Sequence, residues 1–171
     1  MSLGPLIRAA NPQDLMDILA ILNEWPKHFV GPARSMVTDD FNNHRTLIFE
    51  NHGTVEGFLI WREIDGKIEA LWLAVMPHCC NHGIGRSLMN ALFAIALPEQ
   101  EIFLLTATTD SVVPNTTFDG PAYAATIRFF LGLGFKEIAT VPNYWGPGNH
   151  CLVMAKAPHG QAFSDPRSNV N

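Results

Sequence analysis

The chain has 171 residues, of which 47% are hydrophobic and 16% charged, with a formal net charge of −5. That length suits one domain with a real apolar core. The balance excludes a disordered chain, and the acidic charge leaves no basic footprint for a nucleic-acid partner. No apolar run approaches the roughly 18–20 residues of a membrane-spanning helix, and the N-terminus lacks a secretory pattern. Cys79, Cys80 and Cys151 are too few for a disulfide framework. The expected setting is cytoplasmic and reduced.

Residues 6–9 read as a short first strand. Asn11 caps a helix with Pro12 in its first turn. Leu15, Ile18, Leu19 and Leu22 share one face of it, and Trp25-Pro26 ends it. Residues 27–34 read as a loop and 35–43 as a second short helix. Strands follow at 46–50, 55–64 and 67–76. Asn51-His52-Gly53 turns the first pair, and Asp65-Gly66, a hairpin signal, turns the second. The strand 67–76 is apolar on both faces, which predicts a central place in the sheet.

Residues 83–97 form a helix with Ile84, Leu88, Ala91, Leu92 and Ile95 as its buried stripe and Pro98 past its end. A strand follows at 101–106, then a polar, turn-rich loop at 108–120. A helix at 121–131 stops at Gly132 and Gly134. Strands at 136–141 and 151–156 close the chain, joined by a loop at 142–148, and 158–171 reads as a flexible tail. The fold class is mixed α/β: a single domain over 1–157, with one sheet flanked by about four helices.

The most informative stretch is Leu73-Ala74-Val75-Met76-Pro77-His78-Cys79-Cys80-Asn81-His82-Gly83-Ile84-Gly85-Arg86-Ser87. A buried strand runs into a turn that opens an amphipathic helix. The first N–H groups of that helix have no partner inside it, and with the helix dipole they make an anion site. Gly83 and Gly85 clear side chains where a pyrophosphate approaches the backbone, and Arg86 could add a charged contact. The plainer reading is that both glycines only shape a tight helix entry. His78 and His82 also meet zinc spacing loosely, but no second ligand pair accompanies them, so no metal is expected. Cys80 beside a helix N-terminus could be a reactive thiol.

This stretch resembles the central motif of the GNAT superfamily of N-acetyltransferases. Val75-Met76-Pro77 and Gly83-Ile84-Gly85 match in register, while Cys80 replaces the motif's Arg or Gln. A second match is Phe129-Phe130…Gly134-Phe135, with Phe130 at a position commonly Tyr. Tyr123 to Thr126 and Tyr144 to Gly148 are similar to segments of one GNAT subgroup.

The resemblance implies a GNAT-like fold with a mostly antiparallel sheet, and transfer of an acetyl group from acetyl-CoA to a small-molecule or peptide amine. It implies pantetheine pairing on Leu73, Ala74 and Val75. The pyrophosphate would lie on Cys80, Asn81, His82, Gly83, Ile84 and Gly85, with Arg86, Ser87 and Phe130 near the cofactor. A homodimer is a further expectation.

For the chemistry, the resemblance implies that an amide near Leu73 or Ala74 serves the oxyanion. Glu69, a carboxylate on an apolar strand, is the candidate base, with a raised pKa. At about 3.3 Å per residue it lies roughly 13–17 Å from the Ala74 position, so it needs a water relay. A solvated carboxylate past the hairpin is the alternative. Tyr123 and Tyr144 are candidate acids, and Trp25, Phe29 and Trp145 candidate walls for the acceptor. Cys80 and Phe130 keep open a second reading, an acyl-CoA-binding module with weak chemistry.

Overall fold

The computed structural model describes residues 4–158. The tail expected over 158–171 lies, beyond Pro158, outside the described residues. Strands β1 (Leu6–Ala9), β2 (Arg45–Asn51), β3 (Thr54–Ile64) and β4 (Lys67–Val75) form an antiparallel half-sheet. Asp65 and Gly66 take φ of 50° and 76°, the left-handed pair that a tight two-residue hairpin needs. Strand β5 (Ile102–Ala107) joins β4 in parallel, and β6 (Lys136–Val141) and β7 (Cys151–Lys156) complete the order β1-β2-β3-β4-β5-β7-β6. Among the described residues only the β4–β5 pairing is parallel, and β4 is central, as its apolar run predicts.

Alternation along β3 divides the core. Phe58 and Ile60 face α1 (Leu15–Asn23) and α2 (Ala33–Asn43), packing with Ile18, Leu22 and Val37. Leu59 and Trp61 face α3 (Ile84–Ile95) and α4 (Tyr123–Leu131), packing with Leu88, Leu92 and Phe130. Each such side chain contributes about 1.5–3 kcal/mol by leaving water. Leu88 is fully buried, and truncation to Ala there costs about 2–5 kcal/mol.

The first helix is shorter than its pattern implies. Asn11 caps a single 3-10 turn, Pro12–Asp14, and α1 starts after it. Buried Asp14 closes that turn. Its carboxylate accepts the Asn11 N–H at 2.7 Å and two guanidinium bonds from Arg8 at 2.8 and 2.9 Å. The Arg8 bonds hold Asp14 below the ordinary carboxylate range. Likewise, α4 begins only at Tyr123, because Gly120–Ala122 forms a 3-10 turn ahead of it.

Candidate functional site

The site starts with an irregularity in β4. Ile60 pairs with Trp72 and Trp61 with Ala70, so Leu71 is the extra residue of a β-bulge, left out of the ladder. The bulge resets the alternation. Leu71 and Trp72 both lie on the α1/α2 side, and Leu73 and Val75 on the α3/α4 side. The oxyanion amide sought near Leu73 or Ala74 therefore has a rival in the unpaired residue Leu71, which only the register reveals.

A wedge opens just past the bulge. Strands β4 and β5 pair through Ile68–Ala70 and Ile102–Leu104. Beyond these, β4 runs on to Val75 and β5 to Ala107 with no pairing between them. The β4 wall of the wedge is backbone. The Met76 N–H donates to the Glu56 carbonyl at 2.8 Å, on the β3 side. The Val75 carbonyl shares that trans peptide and points the opposite way, into the wedge. There it accepts a hydrogen bond from the Trp25 indole Nε1 at 2.8 Å.

The wedge leads to the turn between β4 and α3. Asn81 and Gly83 take φ of 64° and 84°, left-handed values that reverse the chain toward the helix. Ser87 closes the first helical turn, its N–H on the Gly83 carbonyl at 2.9 Å. The amides of Ile84, Gly85 and Arg86 have no helical carbonyl behind them, and they concentrate the positive end of the helix dipole. The two glycines differ. A Cβ at Gly83 would meet nothing within 4 Å, whereas at Gly85 it would press on the Phe129 ring at 3.3 Å. Open space thus lies at Gly83, while Gly85 makes room for α4.

Of the other turn residues, Asn81, His82 and Arg86 are exposed, Ser87 is half-buried and Ile84 is buried. Cys80 is half-buried with Sγ 3.6 Å from the Met76 carbonyl. Burial pushes its thiol up, against the lowering expected of a reactive cysteine beside a helix end. Among the described residues, no cluster of three or more His, Cys, Asp or Glu side chains could hold a metal ion. Phe130 lies in the core, its ring centroid 5.5 Å from that of Phe135. The ring that reaches the phosphate-type turn is its neighbour Phe129.

Glu69 sits one residue before the strands part. It is 5% exposed, so the solvated alternative fails. It is also not a bare carboxylate. Its Oε2 accepts bonds from Nε and a terminal nitrogen of Arg62, its cross-strand neighbour, each at 2.7 Å.

Tyr123 donates its hydroxyl to the His28 carbonyl at 2.8 Å, and burial raises its pKa. Tyr144 and Trp145 are both exposed and meet edge-on at 5.1 Å. Phe29 packs on Trp72 at 5.9 Å, and Trp72 donates its indole N–H to Asp40 at 2.6 Å.

What sequence reading missed is the role of the 108–120 loop. One end is bonded to the β6–β7 loop, with Val112 N–H on the Gly148 carbonyl at 2.8 Å and the Ser111 hydroxyl on the His150 carbonyl at 3.1 Å. The other end is bonded to the α1–α2 loop, through Asp119 N–H to the Lys27 carbonyl at 2.9 Å and the Thr117 hydroxyl to Pro26. One strap therefore joins the loops that carry Trp25, Phe29, Tyr144 and Trp145. No local pattern announces bonds between residues this distant in the chain.

Residues 42–137, more than half of the chain, match the family model of the acetyltransferase (GNAT) domain. The chain belongs to the GNAT acetyltransferase family. Among solved structures it is similar to an aminoglycoside 6'-N-acetyltransferase complexed with coenzyme A, at 19% identity and a TM-score of 0.70, covering 92% of this chain and 99% of that one. It is similar to the ribosomal-protein-S18-alanine N-acetyltransferase of Escherichia coli, at 19% identity and a TM-score of 0.67, over 94% and 98%. A third likeness is the yncA protein of Salmonella typhimurium with its cofactor acetyl-CoA, at 20% identity and a TM-score of 0.68, over 96% and 99%. No curated protein sequence matches the chain. At these identities the likenesses carry the fold. Among the described residues, no helix is long and apolar enough to cross a membrane.

Proposed function

We propose that the chain transfers an acetyl group from acetyl-CoA to a primary amine of a small molecule or peptide, by direct attack in a ternary complex. The observation that carries this reading is the parting of β4 from β5 after Ala70, on the strand whose following turn opens α3 at Gly83. The residues fit the donor. A diphosphate needs several N–H groups and space, and Ile84, Gly85 and Arg86 offer the amides beside the open position of Gly83. An amide-bearing arm needs backbone partners, and Leu73 and Val75 on the wedge side of β4 provide them. Relatives of the same fold hold coenzyme A or acetyl-CoA. Acetyl-CoA bound there supplies the activated acetyl group that the amine receives.

The protein's own residues do the rest. The unladdered amide at Leu71 is a donor for the carbonyl oxygen as it gains charge. Glu69 receives the proton that the amine loses, through water, while Arg62 fixes the carboxylate's direction. Trp25, Phe29 and Trp145 wall the acceptor side. Tyr123 has its hydroxyl engaged on His28, so as a proton donor it must release that bond, and Tyr144 is the freer phenol.

These engagements also favour a second reading, an acyl-CoA-binding module with weak chemistry: Glu69 is tied to Arg62, and Cys80 stands where a stronger donor is expected. Calorimetric titration with acetyl-CoA, paired with thiol release over an amine panel, separates the two. Binding with turnover supports the transferase. Binding without turnover on any amine supports the module. Absence of binding contradicts both.

A further inference from the structure

We infer that Trp25 occupies, in the ligand-free fold, the hydrogen-bonding place that the acyl donor's pantetheine arm takes on β4, and that donor binding displaces it. This rests on the proposed acyl-CoA reading. Its basis is one bond and its direction. The Val75 carbonyl points into the wedge because its peptide partner, the Met76 N–H, is bound to Glu56 on the other side. The indole donating to that carbonyl at 2.8 Å therefore stands on the wedge side of β4. An arm carrying secondary amides that runs along β4 needs this same acceptor, and ring and arm cannot both fill the volume beside it.

The displacement is a side-chain rotation, because the backbone around Trp25 is fixed. Its N–H bonds to the Leu22 carbonyl at 3.0 Å, and its carbonyl accepts from His28 and Phe29, each at 3.0 Å. Asp119 and Thr117 hold the next two carbonyls. The indole also packs edge-on against His28, with ring centroids 5.2 Å apart. Rotation of Trp25 uncovers that imidazole, whose Nδ1 is buried without a hydrogen-bond partner. Donor binding thereby reshapes the wall that the acceptor meets.

Trp25→Phe tests the inference. It keeps an aromatic ring at the position and removes the competing N–H together with part of the indole's volume. Coenzyme A should bind the variant about two- to ten-fold more tightly, the range of one net hydrogen bond. In the unaltered chain, titration with coenzyme A should change the indole emission, and most of that change should vanish in Trp25→Phe. Thermal melting of both chains establishes that the variant is folded. If Trp25→Phe unfolds, acrylamide quenching of the unaltered chain's indole emission decides, and it must rise when coenzyme A is added. Equal or weaker binding by a folded variant overturns the inference and leaves the acyl-CoA reading standing. No binding by either chain overturns both.

Discussion

Under the proposed function the wedge has a donor side and an acceptor side, and the two are held by different means. On the donor side, β4 and the first turn of α3 present main-chain groups: the Val75 carbonyl and the amides of Ile84 to Arg86. On the acceptor side, the 25–30 segment, the 108–120 strap and the 142–150 loop are joined by bonds such as Thr117 to Pro26 and Ser111 to His150, which span 91 and 39 residues. A surface of backbone groups tolerates changes of side chain, which is how Cys80 can stand in a position that is commonly Arg or Gln. A surface assembled from distant segments does not, and under the proposed function acceptor choice resides there.

The largest expected effect sharpens this contrast from the donor side. Gly83 holds φ of 84°, and a β-branched residue there costs about 1–3 kcal/mol of backbone strain. Gly83→Val should weaken acetyl-CoA binding by roughly 5- to 150-fold, read by calorimetry, while the amine KM at saturating donor stays within about two-fold. An equal loss on both sides would mean that the two halves are not separable.

The next effect comes from the acceptor side. A Cβ at Gly120 would collide with the Ser111 carbonyl, and backbone cannot yield as a flexible side chain can. Gly120→Ala should cost about 1–3 kcal/mol of stability and raise the amine KM several-fold, with coenzyme A affinity nearly unchanged. Urea unfolding and steady-state kinetics measure the two halves of that statement.

A smaller effect follows for Tyr123→Phe, which leaves the His28 carbonyl without its donor. A loss of about 1 kcal/mol is expected in urea unfolding. A neutral result would show that the strap does not depend on this bond.

The smallest effect is in pH. Burial lowers the pKa of His28, against the Ala122 carbonyl and Asp119, which raise it, and with Lys27, which lowers it. The unfolded chain takes up a proton near the ordinary value of about 6.5 while the fold resists it. The stability present above that value is therefore lost as pH falls below it. His28→Asn should flatten the fall in melting temperature between pH 7 and pH 5. Asp14, depressed by Arg8, sets a second fall at lower pH, below the ordinary carboxylate value of about 3.9.

How far the sequence could be read follows the same division. The central place of β4, the Asp65-Gly66 hairpin and the turn into α3 are legible because each depends on neighbouring residues. The bulge at Leu71 is not, because it exists only in the register between β3 and β4. Glu69 reads as a lone carboxylate until that register brings Arg62 opposite. Phe129 and Phe130 are adjacent and differ by roughly 100° around the helix, so only the packing of α4 decides which one meets Gly85. The strap at 108–120 looks like an ordinary polar loop, since its partners lie in two other segments far away in the chain.

The most direct test of the central claim is a titration of the 15N-labelled protein with coenzyme A, followed by amide resonances. The largest shifts should fall on Leu71 to Val75 and Gly83 to Ser87, with Trp25 Nε1 moving as well. Saturable binding that leaves those amides unmoved and shifts residues elsewhere on the sheet would contradict it.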